Sequence, residues 1–294
     1  MRGIIMDALF AAMKADERVF FLTADMGINL VERFAESYPS RFLNVGIAEQ
    51  NLIGISAGLC NLGYRPFAYT ISNFLVHRPY EQIRNDVALH GYPVTLLGTS
   101  GGFDNAPLGP THHVVDELGA LGALAGIDLY CPSSTNCARE LVGRLIERER
   151  PAYVRMPKDN FDHPALEGET AYLPGSGRQT LIIGYGATAP ACIAVQETNP
   201  AVSVLICQRL RPLDEEVVAG ALARHDQAIV VEDHLAASGV YGALCRLAME
   251  YQIRCRVRSL APDNYSLQVG ASPRFYQARY RLDKGGIEEM ICQP

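Results

Sequence analysis

The 294-residue chain is 48% hydrophobic and 20% charged with a net charge of −6, a composition that fits one large or two ordinary globular domains and excludes disorder. No lysine- or arginine-rich run with interleaved aromatics is present, which argues against nucleic acid and against an anionic membrane surface. Gly, Pro or charge interrupts every apolar run before it reaches the length of a membrane span, and the N-terminal twenty residues are too acidic and too helical in period for a signal peptide.

Residues 3–15 carry apolar positions at helical spacing (Ile4, Ile5, Ala8, Leu9, Ala12, Met13). Val19–Thr23 then reads as a strand, 32–37 as a short helix, 41–45 as a strand and 51–60 as a buried helix of Leu, Ile, Gly, Ala and Ser. Strands are predicted at 65–69, 94–98 and 128–131, and helices at 79–90, 116–125 and 135–148. Residues 101–111, "GGFDNAPLGPT", hold three glycines and two prolines and can only be a loop.

"DNFDHPALEGETAYLPGSGR" (159–178) lacks a period and ends in Pro-Gly-Ser-Gly, as a linker does. A second alternation follows, with strands at 179–184, 203–207, 228–231 and 256–259 and helices after Pro190, at 215–224 and at 240–251. The expected fold is therefore α/β, with two domains that are each a mostly parallel sheet covered by helices. We place the first domain at 1–160, the linker at 161–178 and the second domain at 179–294.

Several motifs are decoys. Gly184-Tyr185-Gly186-Ala187-Thr188-Ala189 matches a dinucleotide-binding turn, but the next strand runs into Cys207-Gln208-Arg209 with no carboxylate for a ribose. Pro190 also stands where the phosphate-binding helix would start. His112-His113-x-x-Asp116 resembles a metal motif, yet adjacent histidines diverge on either strand or helix, so no metal held by this chain alone is expected. No Gly-x-Ser-x-Gly elbow follows a strand. The eight cysteines form no Cys-x-x-Cys pair and mostly sit in apolar segments, which favours buried reduced thiols and a cytoplasmic setting.

Three residues remain. Glu49 lies at a strand-to-helix junction, where open parallel sheets bind ligands, and a carboxylate at the mouth of an apolar helix needs a partner. No residue of the chain presents itself as that partner. Phe74 follows another strand end, and His112 ends the Gly/Pro loop after a third. Each has a plain structural reading, as helix-dipole acid, core aromatic and helix cap.

"NVGIAEQNLIGISAGLCNLGYRPF", "SNFLVHRPYEQIRND", "GPTHHVVDELGAL" and "CPSSTNCAREL" resemble the thiamine-diphosphate enzymes of the transketolase and deoxyxylulose-phosphate synthase group. The resemblance spans nearly the whole chain but corresponds only to the pyrimidine-binding and C-terminal domains. It implies that Glu49 hydrogen-bonds N1′ of the cofactor's aminopyrimidine, that Phe74 stacks on that ring, and that His112 contacts the substrate's oxygen and assists proton movement. It also implies weaker substrate roles for Arg2 and Arg155, which fall where relatives place arginines for a sugar phosphate, and an interface position for Asp25.

The departures are informative. The family's Gly-Asp-Gly segment and Asn pair, which hold diphosphate and a divalent cation, are absent. The resemblance therefore implies the second subunit of a split transketolase. Thiamine diphosphate and Mg2+ or Ca2+ would be held mainly by a separate diphosphate-binding subunit, in an α2β2 assembly acting on a sugar phosphate or related small molecule. Leu108 stands where relatives have an aspartate for a donor hydroxyl, and Ser100 where a His or Arg often helps hold phosphate, so a donor of altered chemistry, such as one giving an acetyl unit, is expected. The alternatives are the β subunit of a 2-oxo acid dehydrogenase, an acetyl-transferring homologue and a non-catalytic assembly subunit. "GIAEQN" and Gly-Pro-Thr-His favour a transketolase.

Overall fold

Strands buried on both faces carry unbroken apolar runs, and such runs form the middle of two sheets in a computed structural model that describes residues 1–293. In chain order the strands are β1 (Val19–Thr23), β2 (Phe42–Asn44), β3 (Arg65–Ile71), β4 (Thr95–Thr99), β5 (Asp128–Tyr130), β6 (Ala152–Met156), β7 (Thr170–Leu173), β8 (Thr180–Gly184), β9 (Ser203–Cys207), β10 (Arg209–Arg211), β11 (Gln227–Val231) and β12 (Arg256–Leu260). The first sheet has the order β10-β5-β6-β4-β3-β1-β2 and the second β12-β11-β8-β9-β7. All pairs are parallel except β10 with β5 and β7 with β9. This is the two-domain, mostly parallel α/β architecture expected from the alternation of elements.

The differences from expectation have physical reasons. The segment read as a linker carries β7, whose short "TAYL" pairs antiparallel with β9; four residues on a sheet edge are too few to show a period. β10 is shorter still, and although it follows β9 in the chain it crosses to the edge of the first sheet beside β5. The helix expected over 79–90 begins as a single α-turn at Tyr80–Gln82 and continues as a π-helix over Ile83–Ala88, with the Leu89 N–H bonded to the Arg84 carbonyl at 3.0 Å. The turn at Gly184–Ala189 is a 3-10 turn. A Cβ at Gly186 would lie 2.4 Å from Cys131 Sγ, so this glycine lets the second domain approach the first closely.

A buried ionic cluster fastens the domains together. Arg155 in β6 donates from Nε to Glu117 Oε1 at 2.6 Å and from Nη1 to Asp233 Oδ1 at 2.7 Å, and its Nη2 reaches the Val114 and Asp233 carbonyls. Burial by itself lowers the basicity of the guanidinium, but Asp233 and Glu117 outweigh it and hold the group firmly protonated. His234, lowered by burial, stays neutral: the Leu118 N–H donates to its Nε2 at 3.2 Å, so the ring proton lies on Nδ1 beside the Leu235 carbonyl. Leu235 N–H in turn bonds the Val115 carbonyl at 2.7 Å.

Gly101 and Gly102 exist because of this cluster. A Cβ on Gly101 would meet the Arg155 side chain at 2.7 Å, and one on Gly102 (φ +59°) would sit 1.8 Å from Asp233 Oδ2. The backbone passing over the cluster is the start of the loop that ends at His112. Replacing Arg155 by Met leaves Glu117 and Asp233 buried without a counter-charge, which costs about 3–5 kcal/mol. Urea denaturation of Arg155→Met is expected to show that loss; an unchanged midpoint would mean the cluster does not hold the domains.

Candidate active site

Three loops at the C-terminal edge of the first sheet supply the site. After β2, the Asn44 side-chain carbonyl accepts hydrogen bonds from the Asp25 and Gly46 N–H groups at 2.9 and 3.0 Å. Gly46 takes φ +72°, and its carbonyl accepts from the Ala48 N–H at 2.8 Å. That turn delivers Glu49 as the first residue of the helix Glu49–Asn61. The buried residues of this helix are Glu49, Leu52, Ile53, Ser56 and Ala57, a stripe at helical spacing. Glu49, only 5% exposed, therefore occupies a place on the stripe where an apolar side chain would normally stand.

β3 leads directly into the helix Ser72–His77, which ends at Arg78 before Pro79. Phe74 and Arg78 are four residues apart and share a face. The Arg78 guanidinium carbon lies 3.9 Å from the centroid of the Phe74 ring, and Arg78 Nη1 donates to Glu49 Oε1 at 2.7 Å. Glu49 thus has a partner within the chain, contrary to the sequence reading. The pair joins a buried carboxylate to a cation whose side chain is 45% exposed.

The third loop follows β4. Ser100 is buried in a left-handed conformation (φ +64°), and Ala106–Leu108 form a 3-10 turn that leaves Leu108 57% exposed. Asn73 Nδ2 donates to the Thr111 carbonyl at 2.6 Å, tying the loop to the helix that bears Phe74. The His112 ring meets Phe74 edge to face with centroids 5.3 Å apart, and Thr111 Oγ1 lies 3.0 Å from His112 Nδ1. His113 points elsewhere, buried against Phe103 and Tyr276.

Glu49, Phe74 and His112 are thus brought together, with Arg78 as the residue that sequence reasoning missed; its four-residue spacing from Phe74 was the available signal. Arg155 is not on this face but fully engaged in the interdomain cluster. Arg2 opens the first helix beside Tyr69, whose hydroxyl pKa is raised by burial with Arg2 acting against it. Asp25 (φ +50°) is paired to Asn44. Among the described residues no group of three or more His, Cys, Asp or Glu is arranged to hold a metal ion, and no helix is long and apolar enough to cross a membrane.

The site is an open face. A cavity of about 640 Å³ lies between the domains, lined among others by Leu118, Leu210, Pro212 and Arg246, and one of about 240 Å³ lies near Met1 and Asp159. Neither includes Glu49, Phe74 or His112. Large apolar side chains instead stand exposed just before Glu49 (Leu43 and Ile47), at Ile28, and on the His112 loop at Leu108.

Residues 1–163 match the transketolase pyrimidine-binding domain and residues 168–278 the transketolase C-terminal domain. The chain belongs to the transketolase family. It is 29% identical to a subunit of the apulose-4-phosphate transketolase of Phocaeicola vulgatus, over 96% of this chain and 93% of that one. It is 33% identical to 1-deoxy-D-xylulose-5-phosphate synthase 1 of Geobacter metallireducens, over 98% of this chain but only 48% of that longer protein. A solved chain described as a split-gene transketolase in an inactive β4 tetramer shares the fold, with a TM-score of 0.88 and 23% identity over 99% of this chain and 96% of that one.

Within this transketolase-family chain the His112 loop is also braced from the second domain. Asp116 accepts from Tyr265 OH at 2.7 Å and pairs with His77 Nε2 at 3.1 Å. Burial raises the Asp116 pKa, but the bonds from His77 and Tyr265 prevail and hold it below the ordinary carboxylate range. The bond to Asp116 raises the His77 pKa, with burial opposing. A histidine with a raised folded-state pKa stabilises fully below its unfolded value of about 6.5 and stops doing so as pH rises through the raised value. His77→Gln is therefore expected to lower the urea midpoint more at pH 6 than at pH 8; an equal loss at both would show that the ion pair contributes nothing.

Proposed function

We propose that the chain is the pyrimidine-binding subunit of a split, thiamine-diphosphate-dependent transketolase, a transferase that moves a two-carbon unit from a ketose phosphate or related donor to an aldehyde-type acceptor. The observation that carries this reading is that a carboxylate and an aromatic ring, Glu49 and Phe74, are brought together through one guanidinium, that of Arg78, inside a chain built from both transketolase domains. The pair suits a flat, nitrogen-bearing ring: the planar guanidinium that joins them lies over Phe74, its carbon 3.9 Å from the ring centroid, and bonds to Glu49.

When bound, thiamine diphosphate supplies the nucleophilic carbon that carries the transferred unit. The Glu49 carboxyl, 5% exposed, would hydrogen-bond the ring nitrogen N1′ and exchange a proton with it. Phe74 sets the plane of the ring. In the tautomer whose Nδ1 accepts from the Thr111 hydroxyl, His112 Nε2 is the nitrogen that would offer a proton to a substrate oxygen. The chain lacks the family's Gly-Asp-Gly segment and Asn pair, which supports a separate subunit that holds diphosphate and Mg2+ or Ca2+, in an α2β2 assembly. The open site face and the exposed Ile28, Leu43, Ile47 and Leu108 support docking of that partner here. The free cysteines support a cytoplasmic setting.

Glu49→Gln cannot supply the proton and is expected to lower turnover of the reconstituted complex by about 100-fold or more; full activity would remove Glu49 from the site. The relatives named as subunits of apulose-4-phosphate transketolase, in Phocaeicola vulgatus and Actinobacillus succinogenes, suggest one donor. Leu108 cannot accept a hydrogen bond from a sugar hydroxyl, which suggests a donor lacking one at that point. With the partner subunit present, xylulose 5-phosphate is expected to be a poorer donor than apulose 4-phosphate or pyruvate, measured as kcat/KM. A strong preference for xylulose 5-phosphate would overturn the donor assignment.

A further inference from the structure

We propose that Arg78 is a placeholder for the cofactor's aminopyrimidine: its guanidinium takes the contacts to Glu49 and Phe74 that the ring would make, and loading requires it to swing out. The inference rests on the functional reading above and deepens it. Two contacts are assigned to the aminopyrimidine, a hydrogen bond to the Glu49 carboxyl and a stack on the Phe74 ring. Arg78 makes both, at 2.7 Å to Glu49 Oε1 and 3.9 Å to the Phe74 centroid. A guanidinium is the one side chain that is planar, delocalised and rich in N–H donors, so it can make both contacts of an aminated ring. A ring seated on that same Oε1 and on that same face of Phe74 would displace it.

The arrangement answers an electrostatic need within the chain. Glu49 is 5% exposed, and a carboxylate so placed without a counter-charge is strongly destabilising. Arg78 supplies that charge from outside: its side chain is 45% exposed, and it stands at the end of a helix that Pro79 closes, so the long stem can carry the head back into water. Displacing it subtracts from the affinity for cofactor, because the competent state of the site is only part of the population.

Calorimetric titration of the reconstituted complex with thiamine diphosphate and Mg2+ tests the idea without recourse to turnover. Arg78→Met is expected to bind the cofactor about tenfold more tightly than wild type. The same substitution made in Glu49→Gln is expected to gain less, since half of the placeholder contact is already gone. In the isolated full-length chain without cofactor, Arg78→Met is expected to lower the urea midpoint, and Glu49→Gln with Arg78→Met to restore it. Should Arg78→Met not fold, comparison of the double variant with Glu49→Gln still decides: tighter binding by the double variant supports the placeholder. Unchanged or weaker binding on removing Arg78, beside a wild-type complex that binds normally, overturns the placeholder alone. A wild-type complex that takes up no thiamine diphosphate overturns the functional reading and the placeholder with it.

Discussion

The fully buried guanidinium of Arg155 is the constraint to which the rest of the molecule is adjusted. It sits on a central strand of the first sheet and is neutralised by one carboxylate from each domain, Glu117 and Asp233. Neither domain alone can bury that charge set, so the sheets must meet in one relative orientation. The loop that carries His112 begins directly over the cluster, where two glycines leave room for the Arg155 and Asp233 side chains. Orientation of the domains and placement of a site residue are therefore fixed by a single electrostatic requirement.

The site shows the opposite economy. Glu49, Phe74 and His112 lie at the rim of the sheet on an open face, and a cation reaching in from solvent compensates the one buried acid. Rigid elements hold the positions of the three residues: the buried stripe of the helix after Glu49, the Asn73 bond to the loop carbonyl at Thr111, and the Asn44-built turn ahead of Glu49. What is left unbuilt is an enclosure, and enclosure is what a second polypeptide can add.

Much of this was legible in the residues. Fully buried strands announce themselves by continuous apolar runs, as in Leu181–Ile183 and Ile229–Val231, and the placing of Glu49 before an apolar helix marked it as unusual. What escaped notice depends on distance in the chain. Arg78 lies 29 residues from Glu49, and although its spacing from Phe74 was a local signal, nothing in "VHRPY" points to Glu49. The resemblance gave Arg155 in "YVRMPK" a weak substrate role, with a surface charge as the alternative; the structure buries it against Glu117 and Asp233. β7 and β10 are short edge strands whose pairing partners, not their own composition, make them strands.

β10 also bears on how far the two units can be separated. The chain leaves the second sheet after β9 and lends the three residues of β10 to the edge of the first sheet. The last of them, Arg211, binds through its guanidinium the carbonyls of Leu121 and Leu124 at the end of the helix Glu117–Gly122. Cutting the chain between the domains would strip β5 of its neighbour and leave an unpaired sheet edge ready to recruit other chains. The two domains are thus joined by an exchanged edge strand as well as by the linker and the ionic cluster.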